Sequence, residues 1–392
     1  MSTFETRFRE AMFSYAPTPL TVLTRGEGVR VWDADGKAYL DFLAGIAVNA
    51  LGHAHPVFVD AVSRQAATLA HVSNYFASEP QLELAERLKR LTGGDAVFFG
   101  NSGTEAMEAA VKVARRTGRP RILALEKSFH GRTLGALSIT GKPALREPFE
   151  PLLPGPEFLP TTVEALEAAI GPDVAALVLE PIKGEAGVLD LPAGYLARAR
   201  ELTAQHGALL VVDEIQTGAG RTGDWFAFQH AGELPDGATP DLVALAKGIG
   251  GGFPIGALVA FGAAKDLLQP GDHGTTFGGN PLATATSNAV LGEIERAGLV
   301  ENARIQGERL RAGIAALAHP AVTDVSGRGL LVGIGLAGPW AKDVAAAALD
   351  LGLIVNAAAD DRIRLAPPLI VDDSHVDEFL DLFRSALERL PA

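Results

Sequence analysis

Short apolar runs that end at charged or polar residues alternate with amphipathic segments between residues 95 and 261. The pattern predicts buried strands at 96–99, 121–126, 175–180, 208–213 and 241–247, followed by a further apolar run at 255–261. Helices are predicted between them, at 101–117, 162–170 and 194–206. Strands that alternate with helices are typical of a mostly parallel sheet covered on both faces. We therefore predict an α/β fold with a mostly parallel sheet and helices on both faces.

The two ends of the chain have a different pattern. Two strands near 29–32 and 37–42 flank the turn residues Asp35 and Gly36, which is a hairpin signal, and a helix follows at 81–91. After residue 281 the sequence predicts a long helical region at 282–317, strands near 322–336 and 353–365, and helices at 341–350 and 374–390. We therefore predict a smaller α+β domain from residues 1–50 and 286–392, and a large domain from residues 51–285.

Composition narrows the class of protein. The chain has 392 residues, enough for two or three domains, and a hydrophobic fraction of 47% that can fill a large core. A net charge of −13 argues against nucleic acid or an anionic membrane surface as a partner. The chain contains no cysteine, which excludes disulfides and thiolate chemistry. Without a signal-peptide pattern or an apolar run long enough to span a membrane, we expect a cytoplasmic protein.

Two predicted strands end at residues with complementary chemistry. The run 209–212 stops at Asp213, and the run 242–246 stops at Lys247. In an open α/β sheet, ligands bind beyond the carboxyl ends of the strands, so both side chains are expected at one crevice. A carboxylate against a ring nitrogen and a lysine that forms a Schiff base are what pyridoxal phosphate requires. Taken singly, the aspartate is more often a cap or turn former and the lysine a solvated side chain.

The turn from the strand at 96–99 into the next helix has the outline of an anion site. Ser102, Gly103 and Thr104 stand at the predicted helix N-terminus, where unpaired N–H groups and the positive end of the helix dipole attract phosphate. Ser102 and Glu105 also fit a capping box. Without other signals, a plain serine-capped helix is the commoner explanation.

Phe129 and Arg132 follow the strand at 121–126. An aromatic ring just past a strand end can stack on a flat cofactor, although core packing is more common. Arg132 can hold a carboxylate through two parallel hydrogen bonds, although arginines in such loops often form surface ion pairs.

Two other motifs suggest different chemistry, and both are weak. Gly218, Gly220 and Gly223 fit the glycine spacing of a nicotinamide-dependent oxidoreductase, but the fingerprint needs a helix that starts inside the motif, and 224–228 predicts a loop. His53 and His55 suggest a metal site, but Pro56 is expected to open a helix and no third ligand lies at a suitable spacing. We therefore predict no metal site.

Five motifs occur together and in order: 101–106 (NSGTEA), 129–133 (FHGRT), 212–218 (VDEIQTG), 246–248 (AKG) and 275–281 (TTFGGNP). The set resembles the class III pyridoxal phosphate-dependent aminotransferases of fold type I. The resemblance covers nearly the whole chain and is specific for the class, but less specific for the substrate.

The resemblance implies a role for each of several residues. Lys247 would bind pyridoxal phosphate covalently, and Asp213 would hold the pyridine nitrogen; these two are the expected catalytic residues. The implied cofactor contacts are stacking by Phe129, phosphate binding by Ser102, Gly103 and Thr104, contact with the phenolic oxygen by Gln216, and further contacts by Glu214, Ile215 and Thr276. The implied substrate contacts are Arg132, Thr275, Arg364, and Glu185 as the acid that neutralises an active-site arginine.

The resemblance also implies a homodimer with shared active sites, in which Thr276 reaches the neighbouring subunit. The expected reaction moves the terminal amino group of N2-acetyl-L-ornithine to 2-oxoglutarate, a step of arginine biosynthesis. Ornithine, succinylornithine, succinyldiaminopimelate and 4-aminobutyrate remain open as donors. The chain departs from the family pattern at Met107, Lys183 and Ala186, where the family commonly has Asn, Gln and Gly. The last two flank Glu185 and put its position in doubt.

Overall fold

The computed structural model describes residues 3–14 and 18–390. Its helices are α1 (Phe4–Ala11), α2 (Ala44–Ala47), α3 (Pro56–Thr68), α4 (Glu79–Thr92), α5 (Gly103–Arg116), α6 (Leu134–Ser138), α7 (Pro143–Arg146), α8 (Val163–Ala169), α9 (Tyr195–His206), α10 (Pro281–Arg296), α11 (Leu299–Ala316), α12 (Ala341–Asp350) and α13 (Asp373–Leu387). Its strands are β1 (Leu23–Glu27), β2 (Arg30–Asp33), β3 (Ala38–Asp41), β4 (Ala96–Gly100), β5 (Arg121–Leu125), β6 (Pro156–Leu159), β7 (Val174–Leu179), β8 (Ile182–Lys183), β9 (Leu189–Asp190), β10 (Leu209–Asp213), β11 (Leu242–Leu245), β12 (Gly256–Ala260), β13 (Val322–Arg328), β14 (Leu331–Leu336), β15 (Leu353–Ile354), β16 (Asn356–Ala359) and β17 (Arg362–Leu365).

A seven-stranded sheet in the order β4-β12-β11-β10-β7-β5-β6 forms the centre of the molecule. The pairs among β11, β10, β7, β5 and β6 are parallel, whereas β12 runs antiparallel to both β11 and β4. The reversal has a simple cause, because the glycine-rich connection from β11 to β12 is shorter than the dozen or more residues that a parallel crossover needs. The predicted α/β class and mostly parallel sheet are confirmed.

Alternate residues of the central strands supply two separate cores, one on each face of the sheet. Val211 of β10 packs in the core that includes α5, while its neighbour Val212 packs in the core that includes α9. This alternation follows from the period-two geometry of a strand and explains why the strands have apolar runs rather than alternating patterns. Met107, a departure from the family pattern, is fully buried against the sheet and is a packing residue.

Segments from both ends of the chain build two further sheets, while β8 and β9 pair as a two-stranded antiparallel sheet. β15 pairs in parallel with β3 at the edge of the antiparallel β1-β2-β3 sheet, and β13-β14-β17-β16 form an antiparallel sheet. The domain boundaries at residues 50 and 285 remain a prediction. The predicted long helical region at 282–317 is divided at Gly298, whose left-handed φ of 64° separates α10 from α11. Among the described residues, we found no helix with both the length and the apolar character needed to cross a bilayer.

Candidate active site

Polar side chains follow the carboxyl ends of β4, β5, β7, β10 and β11, all of which lie at one edge of the central sheet. They surround a cavity of about 440 Å³. Of the predicted site residues, the cavity is lined by Ser102, Gly103, Thr104, Phe129, Arg132, Glu185, Asp213, Ile215, Gln216 and Lys247. The edge geometry that was expected of parallel strands therefore brings together residues far apart in sequence.

The N-terminus of α5 forms one end of the cavity. The side chain of Ser102 accepts a hydrogen bond from the backbone N–H of Glu105, as expected for a cap. The reciprocal bond differs from a capping box, because the carboxylate of Glu105 accepts from the backbone N–H of Asn101 at 2.5 Å and from the hydroxyl of Ser102 at 3.1 Å, and not from the backbone N–H of Ser102. The first N–H groups of the helix have no acceptor within it and are available to an anion.

Two glycines allow neighbouring side chains to pack closely against the backbone near this helix end. A Cβ on Gly103 would lie 2.7 Å from the side chain of Ile215, and a Cβ on Gly131 would lie 2.3 Å from the hydroxyl of Thr104. Gly131 also has a φ of 140°, which L-residues with side chains rarely adopt. These close approaches explain why glycine is needed beside the predicted phosphate site.

Asp213 lies at the floor of the cavity and is held rigidly. Its Oδ2 is 2.7 Å from Nδ1 of His130, and its Oδ1 accepts a bond from the backbone N–H of Ile215 at 3.0 Å. Asp213 is 4% exposed and His130 is 2% exposed. With its orientation fixed from two sides, the carboxylate is suited to hold a proton on a ring nitrogen.

Lys247 follows β11 in a left-handed conformation with a φ of 49°. A non-glycine residue in this region is strained, and such strain is concentrated at functional sites. Burial lowers the pKa of the Lys247 ammonium, with the positive charge of Arg364 adding to the effect and the carboxylates of Glu185 and Asp213 opposing it. A lowered pKa increases the fraction of neutral amine, which is the nucleophilic and basic form.

Phe129 and Arg132 form an adjoining wall. The guanidinium of Arg132 lies 5.6 Å from the centroid of the Phe129 ring, within the range of a cation–π contact. Arg132 is exposed, and no ion pair to it forms within the described ranges 3–14 and 18–390. Its hydrogen-bonding groups are therefore available to a carboxylate that enters the cavity.

Arg364 lies behind the cavity wall and is almost fully buried. Its Nη1 donates to Oε1 of Glu185 and, at 3.1 Å, to Oε1 of Gln216, while its Nη2 donates to Oδ1 of Asn356 at 2.8 Å. Burial alone would raise the pKa of Glu185, but the charge and hydrogen bond of Arg364 outweigh it and lower the pKa. Glu185 is thus an ionised partner of Arg364.

The departure at Lys183 does not disturb this ion pair. The ammonium of Lys183 donates to the backbone O of Glu126 at 2.8 Å and to the hydroxyl of Thr161, and not to Glu185. Burial lowers the pKa of Lys183 to about 8. The backbone O of Glu185 accepts a bond from Lys142 at 2.5 Å, which helps to fix the turn.

Besides Arg364, three predicted site residues do not line the cavity, namely Glu214, Thr275 and Thr276. The carboxylate of Glu214 accepts from the hydroxyl of Thr217 and from the backbone N–H of Phe228, and so faces the core. Thr275 accepts a side-chain bond from Asn101 at 3.1 Å, and its neighbour Thr276 is exposed. The contacts predicted for these residues remain proposals.

Comparison with known proteins gives an independent result. The family model for aminotransferase class III matches residues 13–387. This chain is a member of the class III aminotransferase family. An acetylornithine aminotransferase from Streptomyces coelicolor is 54% identical to it, over 98% of this chain and 95% of the relative. One from Mycobacterium tuberculosis is 52% identical, over 99% of this chain and 97% of the relative.

Solved structures of related aminotransferases have the same fold. An ornithine aminotransferase from Toxoplasma gondii matches with a TM-score of 0.93 and 32% identity, over 99% of this chain and 96% of that chain. An acetylornithine aminotransferase from Elizabethkingia anophelis matches with a TM-score of 0.86 and 32% identity, over 99% of this chain and 98% of that chain. The fold type expected from the motifs is confirmed.

The cavity of this class III aminotransferase fits pyridoxal phosphate, the cofactor of its family. A phosphate can bind at the N-terminus of α5. Gly103 and Gly131 lie beside this helix end, where neighbouring side chains are too close for a Cβ. The ring has an aromatic wall at Phe129 and a carboxylate at Asp213, and the amine of Lys247 borders the same space. The rival nicotinamide motif is excluded on structural grounds, because residues 218–223 form a series of turns and not the start of a helix.

The motif analysis missed two ionisable residues that line the cavity, His130 and Glu180. His130 stands inside the 129–133 motif but was given no role. Glu180 follows β7 directly, at the same sheet edge as Asp213. The strand-end argument used for Asp213 would therefore have found Glu180 as well.

Proposed function

We propose that this chain moves the terminal amino group of N2-acetyl-L-ornithine to 2-oxoglutarate, giving N-acetyl-L-glutamate 5-semialdehyde and L-glutamate. The choice of donor is supported by relatives 50–54% identical over nearly their full length that are named acetylornithine aminotransferase. The structural observation that carries the proposal is the ion pair between Arg364 and Glu185, in which Glu185 lines the same cavity as Lys247 and Asp213.

The chemistry divides between the cofactor and the side chains around it. Pyridoxal phosphate, when bound, supplies a reactive carbonyl carbon and a ring that accepts electrons. Asp213 would hold the ring nitrogen in its protonated form, because a carboxylate that accepts a hydrogen bond from the ring favours the cation. Nζ of Lys247 would hold the cofactor through its carbonyl carbon and, as a free amine, would serve as the base for the proton on the substrate carbon that bears nitrogen.

Two arginines account for the two substrates of different shape. Arg132 is exposed in the cavity and binds a carboxylate that both substrates carry. Arg364 binds the second carboxylate of 2-oxoglutarate or glutamate after Glu185 moves away. Acetylornithine has no second carboxylate to present to Arg364. When it binds, Glu185 stays in place and neutralises the guanidinium. One site can thus accept a donor and an acceptor of unequal charge.

We also propose a homodimer in which each subunit completes the site of the other. Thr276 lies exposed in a loop that is anchored to Asn101, the residue before the anion-binding turn. Phe277 beside it is 59% exposed, and Tyr75 and Phe76 are 91% and 67% exposed. Large exposed aromatic side chains are characteristic of protein interfaces. We propose that this enzyme acts in the cytoplasm and that its reaction is a step of arginine biosynthesis.

A donor panel with 2-oxoglutarate as the acceptor tests the substrate proposal. Acetylornithine should show the highest kcat/KM, exceeding ornithine and 4-aminobutyrate by about tenfold or more, which corresponds to ~1.4 kcal/mol of discrimination. The glutamate half reaction, followed through the visible band of the cofactor, serves as the common reference. A higher kcat/KM for ornithine, succinylornithine, succinyldiaminopimelate or 4-aminobutyrate would reassign the donor but leave the aminotransferase chemistry intact.

A further inference from the structure

Arg221 is a buried arginine in the 218–223 turn, the glycine motif that does not form a nicotinamide site. The residue is 3% exposed. Its Nη1 donates to the backbone O of Leu330 at 3.1 Å and to the backbone O of Pro367. Burial lowers the pKa of the Arg221 guanidinium to about 9, and no acidic side chain in the described part of the chain opposes it. A buried cation without a negative partner is costly, whereas an apolar side chain of similar length would fill the same space without that cost.

The two carbonyl groups that accept from Arg221 lie at the same end of a pair of strands. Leu330 directly precedes β14, and Pro367 follows β17. These two strands are antiparallel neighbours, and Arg364 lies on β17 one residue before its end. Arg221 therefore bridges the end of the strand pair that carries Arg364.

The backbone of the turn reinforces this contact. The N–H of Leu330 donates to the backbone O of Arg221 at 2.9 Å, so both the backbone and the side chain of the arginine hold Leu330. A Cβ on Gly329 would lie 2.4 Å from the carbonyl carbon of Thr222, which shows how closely the two backbones approach. The 218–223 turn therefore packs directly on the connection between β13 and β14.

The same turn is continuous with the catalytic end of the central sheet. β10 ends at Asp213, and the segment after it holds Gln216 and then the 218–223 turn. Oε1 of Gln216 accepts a hydrogen bond from Arg364 at 3.1 Å. Arg364 is thus tied to this segment twice, because Gln216 holds its guanidinium and Arg221 holds the strand ends behind it. The distance from Arg364 to Asp213 depends on both contacts.

We propose that Arg221 is a positioning residue that fixes the distance between Arg364 and the catalytic pair Asp213 and Lys247, and so sets the length of dicarboxylate that the site accepts. The inference rests on the proposed binding of the second carboxylate of glutamate or 2-oxoglutarate by Arg364. A guanidinium holds a carboxylate through two parallel hydrogen bonds only when distance and orientation match. Acetylornithine presents no second carboxylate, so its binding depends less on this distance.

Replacement of Arg221 tests the inference through two half reactions. Arg221→Met keeps an apolar side chain of similar length and removes the donors to both carbonyl groups. In single-turnover experiments on cofactor-loaded enzyme, the visible band gives the half-saturating concentration of each amino substrate. We expect the value for glutamate to rise about tenfold, a change of the size of one lost hydrogen bond. The value for acetylornithine, and its limiting rate, should stay near those of the wild type.

Arg311→Met is the matched control, because Arg311 holds the same connection between strands from another side. Its Nη1 donates to the backbone O of Gly329 at 3.2 Å, and the residue is half-buried. The control should lower thermal stability and leave the ratio of the two half-saturating concentrations at the wild-type value. Arg221→Lys keeps a donor for the carbonyl groups, should recover part of the glutamate binding, and carries the test if Arg221→Met does not fold.

Arg364→Lys separates this inference from the proposed function. A selective loss of glutamate binding in Arg364→Lys and in the Arg221 variants, but not in Arg311→Met, supports the positioning role. If Arg364→Lys shows that loss while the Arg221 variants weaken both substrates equally or neither, or if Arg311→Met matches them, the positioning role is overturned and the carboxylate role of Arg364 stands. If Arg364→Lys has no selective effect on glutamate, both roles fail.

Discussion

Arg364 and Glu185 form an ion pair in which only the arginine is fixed. The Arg364 side chain is 2% exposed and is held from two sides by Gln216 and Asn356, whereas the Glu185 side chain is 28% exposed. A Cβ on Gly184 would lie 2.2 Å from Oε1 of Gln216, so glycine is needed beside this network. The carboxylate is therefore the partner that can leave without disturbing the arginine.

Replacement of this carboxylate should shift the choice between substrates. In Glu185→Gln, Arg364 keeps its charge but loses its ionised partner. Glutamate then binds Arg364 without displacing the carboxylate of residue 185. Bound acetylornithine, in contrast, leaves the Arg364 guanidinium buried without a negative partner. We expect the ratio of kcat/KM for the acetylornithine half reaction to that for the glutamate half reaction to fall by about tenfold or more, since a charged hydrogen bond contributes ~1.5–3 kcal/mol.

The matched control for this variant is Glu157→Gln, which breaks a surface ion pair with Arg121. It should leave the ratio unchanged, because exposed pairs contribute little and lie far from the chemistry. The substrate-switching role of Glu185 fails if Glu185→Gln and Glu157→Gln give the same ratio.

Arg132→Lys tests the second carboxylate site. A guanidinium offers two donors in a plane that matches a carboxylate, whereas an ammonium offers a point charge. KM for acetylornithine and for 2-oxoglutarate should rise by roughly 10- to 150-fold, the equivalent of about 1.5–3 kcal/mol, with little change in the cofactor spectrum. Arg25→Lys is the control, because Arg25 also stacks on an aromatic ring, at Trp32, but does not line the cavity. Unchanged KM values in Arg132→Lys would assign Arg132 a structural role.

The shared active site can be tested by mixing two defective variants. Lys247→Ala lacks the amine, and Thr276→Ala lacks the hydroxyl proposed to act in the neighbouring subunit. A mixed dimer contains one site with both residues intact, so unfolding and refolding the two together should restore up to about a quarter of wild-type activity for random pairing of subunits. Each variant refolded alone is the control. If mixed dimers form and Thr276→Ala is impaired, yet no activity returns, the site is not shared.

Glu214 should make stability depend on pH. Burial raises the pKa of its carboxyl group from 4.5 to about 7. Between these values the folded protein holds a proton that the unfolded chain has lost, so the free energy of unfolding falls as pH rises through this window. Glu214→Gln removes this pH dependence. The free energy of unfolding of the variant, relative to that of the wild type, should therefore increase by about 3 kcal/mol as pH rises from 4.5 to about 7. Denaturant unfolding at several pH values measures this difference, and a constant difference would show that Glu214 does not titrate there.

The sequence predicted the central sheet well because its signals are local. Each buried strand has a continuous apolar run, and each following helix begins at a polar or glycine residue. The orientation of β12 was not predictable from its own residues, since an apolar run has the same pattern in a parallel or an antiparallel strand. The break at Gly298 was missed because the helical periodicity of α10 and α11 continues on both sides of one glycine.

Within the site, strand-end residues could be predicted but side-chain directions could not. Asp213 and Glu214 are neighbours, yet the pleat of β10 directs one toward the cavity and the other toward the core. Arg364 and its partner Asn356 belong to a different sheet from Asp213, and they lie opposite each other on the neighbouring strands β17 and β16. Such contacts depend on strand register, which one sequence does not specify.

The central claim is that Lys247 holds pyridoxal phosphate at the point where the parallel strands end. Borohydride reduction of the cofactor-loaded enzyme, followed by peptide mapping, measures this most directly, because reduction makes the bond to lysine permanent. We predict a single pyridoxyl group on Lys247 and bleaching of the visible band, and no label on Lys142 or Lys183, the other half-buried or buried lysines near the cavity. A pyridoxyl group on a different lysine, with Lys247 unmodified, would contradict the account.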